Sequence, residues 1–406
     1  MRPALQVLAA IAALVAASAA HAAAPDVAGA DNAFGFRLLH AVQKATPRGN
    51  VILSPVSAAL DLAMVLNGAD GQTRDEMLRA LSLDGLDLAA VNAANADLIK
   101  LIRTPVKSIT LSVADSLWVD NRRATLKPEY LKQTQASYDA EMTDLDFSSP
   151  GAAARINGWA SQQTQGKITQ LIDRIDRADL ALLLNAVYFK GEWTFKFDPA
   201  QTRLQNFNLD GGSVKQVMRM AQSGRFEYFE LPEMQAIRLP FGDGDLVMEV
   251  LLPATSSSLA ALEATLTPEK WQAWKALFVP RRGAIELPRF ELKSQYRLNA
   301  ALQSLGMIRA FHADGSEAAQ LTRMVSPPAA GERDRNFFIS TVLQSVYWKV
   351  DEEGSEAAAA TATTVRSTLA ARPVEPFRMI VDRPFFCAIE DRRSGALLFV
   401  GAIYEP

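Results

Sequence analysis

The chain has 406 residues, a formal net charge of −3 and a pI near 5.8, so it lacks the basic excess with which nucleic-acid binders meet phosphate. Hydrophobic residues make up 49%, ample for a large core, and Cys387 is the single cysteine, which excludes an internal disulfide. Stability must therefore come from packing and backbone pairing.

Met1-Arg2 is followed over 4–20 by a run of almost wholly Ala, Leu, Val and Ile, and then by Ala20-His21-Ala22. A charged start, a short apolar core and small residues at a cut define a secretory signal peptide, here 1–22. The product is expected to be exported, secreted or periplasmic, and to run from 23 to 406. No later stretch approaches eighteen uninterrupted apolar residues, so no membrane partner is expected. No Gly/Ser linker, charge block or repeat divides the rest, and Ser326-Pro-Pro-Ala-Ala-Gly331 reads as one loop, so 23–406 is expected to be a single domain.

The first third is helical. Residues 33–44 carry Phe34, Leu38, Leu39 and Val42 at helical spacing, and His40 lies among them. Ser54-Pro55 then reads as a cap and first-turn proline, with Ala59, Leu60, Ala63, Met64 and Asn67 on the buried face. Residues 72–81 and 88–102 are further helices, and 110–119 alternates as a strand through Leu111, Val113, Asp115, Leu117 and Val119. Helices at 128–137 and 151–165 follow. From 180 the pattern changes. Residues 180–189 are nearly continuous in apolar character, as in a strand buried on both faces. Segments 236–239 and 246–252, joined by Gly242-Asp-Gly-Asp245, read as a hairpin. Helices are expected at 259–266, 268–277 and 297–305, strands at 284–292 and 337–350, and a closing pair at 379–389 and 396–404. Helices first and strands later is an α+β pattern.

The segment after the 337–350 strand is unlike the rest. From Asp351 to Thr368 there is no proline, and between Glu356 and Arg366 no charge. An exposed loop usually carries several Gly, Pro, Asn or Asp residues to fix its turns, and this one has Gly354 alone. A permanent strand usually carries larger apolar residues. In extended form, Ser355, Ala357, Ala359, Thr361, Thr363 and Val365 share one small, uncharged face, which buries without an ionic penalty. The segment suits a loop that later becomes a strand. An Ala/Thr-rich linker is the other reading of its composition.

Catalytic signatures are missing from the sequence. His21 leaves with the leader, and neither His40 nor His312 lies in a nucleophile elbow or beside a cysteine motif. There is no metal-ligand spacing and no glycine-rich phosphate cradle behind a strand, so no metal or cofactor is expected. Cys387, within Pro384-Phe-Phe-Cys-Ala-Ile389, reads as a packed and inert thiol. The pairs Arg281-Arg282 and Arg333/Arg335 read as solvated.

The segment Glu352-Glu-Gly-Ser-Glu-Ala-Ala-Ala-Ala-Thr361 resembles the hinge of the reactive-centre loop of serpins, the serine protease inhibitor family. The resemblance spans nearly the whole mature chain in order: Asn50-Val-Ile-Leu-Ser-Pro-Val-Ser57, Leu184-Asn-Ala-Val-Tyr-Phe-Lys-Gly-Glu-Trp193, Leu287-Pro-Arg-Phe290, Asp382-Arg-Pro-Phe-Phe386 and Leu398-Phe-Val-Gly-Ala402. It implies about nine helices around three β-sheets, with an exposed reactive-centre loop over about 352–376.

The resemblance implies an irreversible suicide-substrate inhibitor of serine endopeptidases, not an enzyme. A protease attacks the loop, and the cleaved segment enters the central sheet before the acyl-enzyme is released; serpin loop insertion is itself an established case of strand addition. Family spacing puts the cleaved residue at Thr368, or at Leu369 if the count slips by one, with Arg366 and Arg372 fitting less well. The hinge comprises Glu352, Gly354, Ser355, Ala357, Ala358, Ala359, Ala360 and Thr361. Ser54, Ser57 and Asn185 match the shutter beneath the sheet opening, Gln344 stands where the family often has histidine, Arg289 matches an ion-pair partner of Glu352, and Trp193 matches the breach where insertion begins. The implied partner is a serine protease of elastase-like type met by a monomer, with a cysteine protease also open. No basic helix face calls for a glycosaminoglycan-like cofactor. The alternative is a non-inhibitory serpin acting as a binding, carrier or chaperone protein, against which the small, uncharged hinge argues.

Overall fold

A computed structural model describes residues 24–326, 336–354 and 375–406. Its described helices are α1 (Val27–Ala45), α2 (Pro55–Leu66), α3 (Gly71–Ala80), α4 (Leu88–Arg103), α5 (Pro128–Tyr138), α6 (Ala152–Gln163), α7 (Leu259–Glu263), α8 (Pro268–Lys275) and α9 (Asn299–Ser304). α2 is buried over all twelve of its residues, because Val, Ala, Leu and Met surround it on every side and a helix apolar all round belongs in a core.

Five strands form the sheet that matters most here: β2 (Ile109–Asp120), β4 (Glu141–Leu145), β5 (Ala181–Gly191), β11 (Phe290–Arg297) and β13 (Thr341–Val350), in the order β11-β13-β5-β2-β4. One face, with Leu117, Leu183, Val187, Val346 and Trp348, packs on the main core that includes α2. The other, with Trp118, Leu182, Leu184, Ala186 and Tyr188, is covered by Ile156 and Ala160 of α6. A strand covered on both faces reads as a continuous apolar run, which is why 180–189 is legible in the sequence.

A nine-stranded sheet lies behind the core, in the order β1-β16-β15-β9-β8-β7-β10-β14 with β6 also on β7. Its strands are β1 (Val51–Leu53), β6 (Arg203–Asn208), β7 (Val214–Leu231), β8 (Met234–Phe241), β9 (Leu246–Pro253), β10 (Val279–Pro288), β14 (Phe377–Ile380), β15 (Phe385–Asp391) and β16 (Ala396–Ile403). A two-stranded piece, β3 (Thr125–Leu126) with β12 (Val325–Ser326), completes three sheets.

Four sequence expectations are corrected. The single strand expected at 284–292 is two strands in different sheets: β10 pairs with β7 and β14, whereas β11 pairs with β13. Pro288 has no N–H to continue a ladder, and the next amide, Arg289 N, donates to Met218 O at 2.9 Å. Arg297 is not helical but ends β11 opposite Leu343, so the helix starts at Asn299. The expected strand 379–389 is also divided: β14 runs parallel to β10, and β15 begins only after Pro384. Arg281 is not simply solvated; it bridges to Glu230 at 3.2 Å over the Tyr228 ring. The expected signal peptide and Arg333/Arg335 lie outside the described residues.

Candidate functional site

β5 and β13 lie side by side and parallel, in register from Leu182↔Thr341 to Phe189↔Trp348. Their outer neighbours, β2 and β11, are antiparallel to them. The centre of the sheet is thus a single parallel seam, and the chain leaves β13 at its end and turns at Asp351–Gly354.

That turn is held firmly. Three successive carbonyls accept from the segment after β5: the Trp193 indole Nε1 donates to Asp351 O at 2.8 Å, Phe197 N to Glu352 O at 2.9 Å, and Trp193 N to Glu353 O at 2.9 Å. The Trp193 ring stacks on Phe241 with centroids 4.3 Å apart and 11° between planes. Lys196 spans Glu353 at 2.6 Å and Glu192 at 3.2 Å. Gly354 bridges to Glu192 and to Asp351 with φ +123°. A Cβ on it would run into Gly191 O and lie 2.6 Å from Trp193 N, so both the dihedral and the space require glycine.

Glu352 is buried beneath the turn, with only 4% of its surface exposed. Arg289 Nε donates to its Oε1 at 2.7 Å, and Arg289 Nη2 and the Thr202 hydroxyl also donate to that oxygen. Burial pushes the carboxyl up, but the bonds from Arg289 and Thr202 outweigh it and hold it below the usual carboxylate value. The break at Pro288 gives Arg289 this role, since it places the side chain at the junction of two sheets. A cleft of ≈ 610 Å³ opens beside the turn, bordered by Met218, Arg289, Lys349, Glu352 and Glu353.

Halfway along the seam, on the core face, the side chains of both strands meet α2. Gln344 Nε2 on β13 donates to Asn185 Oδ1 on β5 at 2.9 Å and to Ser54 O at 3.0 Å, while Ser54 N donates to Gln344 Oε1 at 2.9 Å. Asn185 Nδ2 donates to Ser57 Oγ and to Asp115 Oδ1, and Ser57 Oγ donates to Asp115 Oδ1 at 3.0 Å. Ser54 precedes α2 as expected, but its hydroxyl caps nothing and has no partner among the described residues; Gln344 grips its backbone instead.

The structure therefore brings together Ser54, Ser57, Asn185 and Gln344 at the seam, and Glu352, Gly354, Arg289 and Trp193 at the turn. Ser355, Ala357, Ala358, Ala359, Ala360 and Thr361 of the hinge, and the Thr368–Leu369 bond, lie outside the described residues. Sequence reasoning missed Thr202, Lys196 and Asp115. Of these only Asp115 carried a signal, as the one charged residue on the apolar face of its strand.

Cys387, His40 and His312 stand apart from one another and from the seam and the turn, each in its own local setting. Cys387 is fully buried in β15 and its thiol is pushed well up by burial. The His40 ring is spent on Glu263 O, and His312 stands 3.7 Å from Glu317. Among the described residues no group of three or more His, Cys, Asp or Glu is placed to hold a metal.

A five-stranded sheet covered on both faces, with a parallel seam at its centre, a pinned turn at the end of β13 and a polar cluster beneath the seam, defines a protein class by its fold, and comparison with known proteins identifies it. The family profile for Serpin (serine protease inhibitor) matches residues 29–406. Leukocyte elastase inhibitor of Sus scrofa is 35% identical over 395 residues, covering 93% of this chain and 98% of that protein. Antithrombin-III of Homo sapiens is 29% identical, covering 90% and 79%. The thermophilic serpin tengpin in its native state superposes with a TM-score of 0.83 at 26% identity, covering 94% of each chain. Thyroxine-binding globulin in complex with thyroxine gives 0.81 at 23% identity, a likeness of fold alone. The chain belongs to the serpin family. Serpins are protease inhibitors, not enzymes, and this one has inhibitory relatives.

Proposed function

We propose that this serpin is an irreversible suicide-substrate inhibitor of serine endopeptidases, trapping the acyl-enzyme by inserting its cleaved loop between β5 and β13. The observation that carries this reading is the parallel seam. A strand returning from the end of β13 runs antiparallel to both neighbours, so insertion replaces one parallel ladder with two antiparallel ones, the slightly stronger pairing. With eight register pairs along the seam and a net gain of about 1 kcal/mol per added hydrogen bond, the filled sheet lies several kcal/mol below the open one.

The uncharged face of Ser355, Ala357, Ala359 and Thr361 supports entry into that seam without burying charge. Thr368 or Leu369 as the cleaved residue suits a small or aliphatic specificity pocket, hence an elastase-like target, in keeping with the similarity to a leukocyte elastase inhibitor. Residues 1–22, read as a signal peptide, support action outside the cytoplasm.

Limited proteolysis within the loop tests the insertion step. The cleaved protein should melt well above the intact one, because a strand has been added to the sheet. An unchanged melting temperature after complete loop cleavage would overturn the reading.

A further inference from the structure

Asp115 shares the parity of Leu117 and Val119 on β2, so it faces α2 on the core side of the sheet. Its Oδ1 takes bonds from Ser57 of α2 and Asn185 of β5, and through Asn185 it is tied to Gln344 across the seam. The side chain is 8% exposed. Burial raises its carboxyl to about 6, against the bonds from Ser57 and Asn185 and the charge of Arg103, all of which pull it down.

The neighbouring charges are few. α2 presents Asp61, one helical turn from Ser57 and with both oxygens buried and unpartnered among the described residues. Burial, with the charge of Asp115 added, pushes the Asp61 carboxyl well up. α4 presents Arg103, the turn after α5 presents Asp139, and β4 presents Glu141; α6 presents the uncharged Trp159 and Gln163. β4 begins opposite Ser116, which leaves the edge of β2 open over 111–115. A cavity of ≈ 460 Å³ fills that gap and reaches Asp115, so a proton has a route in without unfolding.

We infer that Asp115 is a proton-set load on the closed seam: neutral, it leaves the sheet relaxed, and ionised, it favours separation of β5 from β13. The sign follows from linkage. A closed sheet that raises a carboxyl holds its proton more tightly than an open sheet where water reaches the group. The closed form is therefore most favoured below the ordinary value of 3.8, and that advantage is lost as pH rises through about 6. A rise of about two pH units corresponds to at most about a 100-fold change in the open fraction. At neutral pH the sheet carries the load, and in acid it rests. The inference needs only that the seam opens, and it rests on the proposed loop insertion for its consequence.

Hydrogen exchange of the full-length protein, without protease, tests it independently of any inhibitory activity. After correction for intrinsic exchange, protection of 182–189 and 341–348 should fall between pH 5 and 7.5, by up to about 10-fold. Asp115→Asn should abolish the fall. Arg103→Gln, on the surface and safe to fold, removes a charge that lowers Asp115 and should move the inflection to higher pH. A wild-type profile flat in pH, an unchanged fall in Asp115→Asn, or an unmoved inflection in Arg103→Gln would each overturn the inference.

Discussion

Gln344 and Asn185 face each other at the same register position of two parallel strands, and their side-chain amides are joined at 2.9 Å across the seam. Both are buried among apolar neighbours, where an unmade bond costs more than a made one gains. Gln344→Ala leaves Ser54 N and Asn185 Oδ1 without their partner, and Ser54 O with the Ala58 amide alone. It should destabilise the closed protein by about 3 kcal/mol, read as a lower denaturant midpoint at unchanged slope, and speed spontaneous loss of the native form.

Arg289 and Thr202 are what make a buried Glu352 tolerable. Arg289→Ala leaves the carboxylate with only the Thr202 hydroxyl and its own backbone amide, and because Arg289 is itself 40% exposed the loss should be about 2 kcal/mol, short of that for a fully buried pair. The Glu352 carboxyl is depressed in the folded state, so its stabilising contribution is present above the ordinary glutamate value of 4.5 and lost as pH falls through the lower folded value. Denaturation curves of wild type and Arg289→Ala should therefore converge in strong acid. Parallel curves at all pH values would refute this account of the turn.

Gly354 occupies a conformation and a space that admit no side chain. Gly354→Ala must displace backbone at Gly191 or Trp193, at a cost of about 2 kcal/mol. The damage should be local: tryptophan fluorescence should report a loosened Trp193, while strands far from the turn keep their exchange protection.

The small face of the hinge is the feature that sequence assigns to rapid insertion. Ala359→Arg buries a charge in the seam if the loop enters, and should turn trapping into turnover: the same bond is cut, with the covalent product down at least tenfold, as a barrier of about 1.4 kcal/mol already gives that factor. Ala360→Arg, on the opposite face, should do much less. Equal effects at 359 and 360 would contradict the alternation.

Legibility in the sequence followed how directly burial writes itself into residue type. β5 was plain because both of its faces are covered, and the β8–β9 hairpin because glycines mark its turn. The division of 284–292 was not, since Leu287, Phe290 and Leu292 keep an apolar rhythm through a change of sheet and only Pro288 marks it. β6 and the first half of β7 were missed because their exposed polar residues, such as Asn206 and Gln216, resemble loop. At the site, Ser54, Ser57, Asn185 and Gln344 were found through family resemblance; their meeting point is set by α2 crossing the seam, which no local pattern encodes. Asp115 was visible as an exception on an apolar face, but its partners come from other elements, 58 and 70 residues away.

The central claim is tested most directly by incubating the mature protein with elastase-type and trypsin-type serine proteases and analysing the products by denaturing gel and intact mass. The account predicts a species that survives denaturation at the summed mass of the protease and the serpin cut after Thr368 or Leu369. Complete loop cleavage with no covalent complex, across every protease tried, would contradict it.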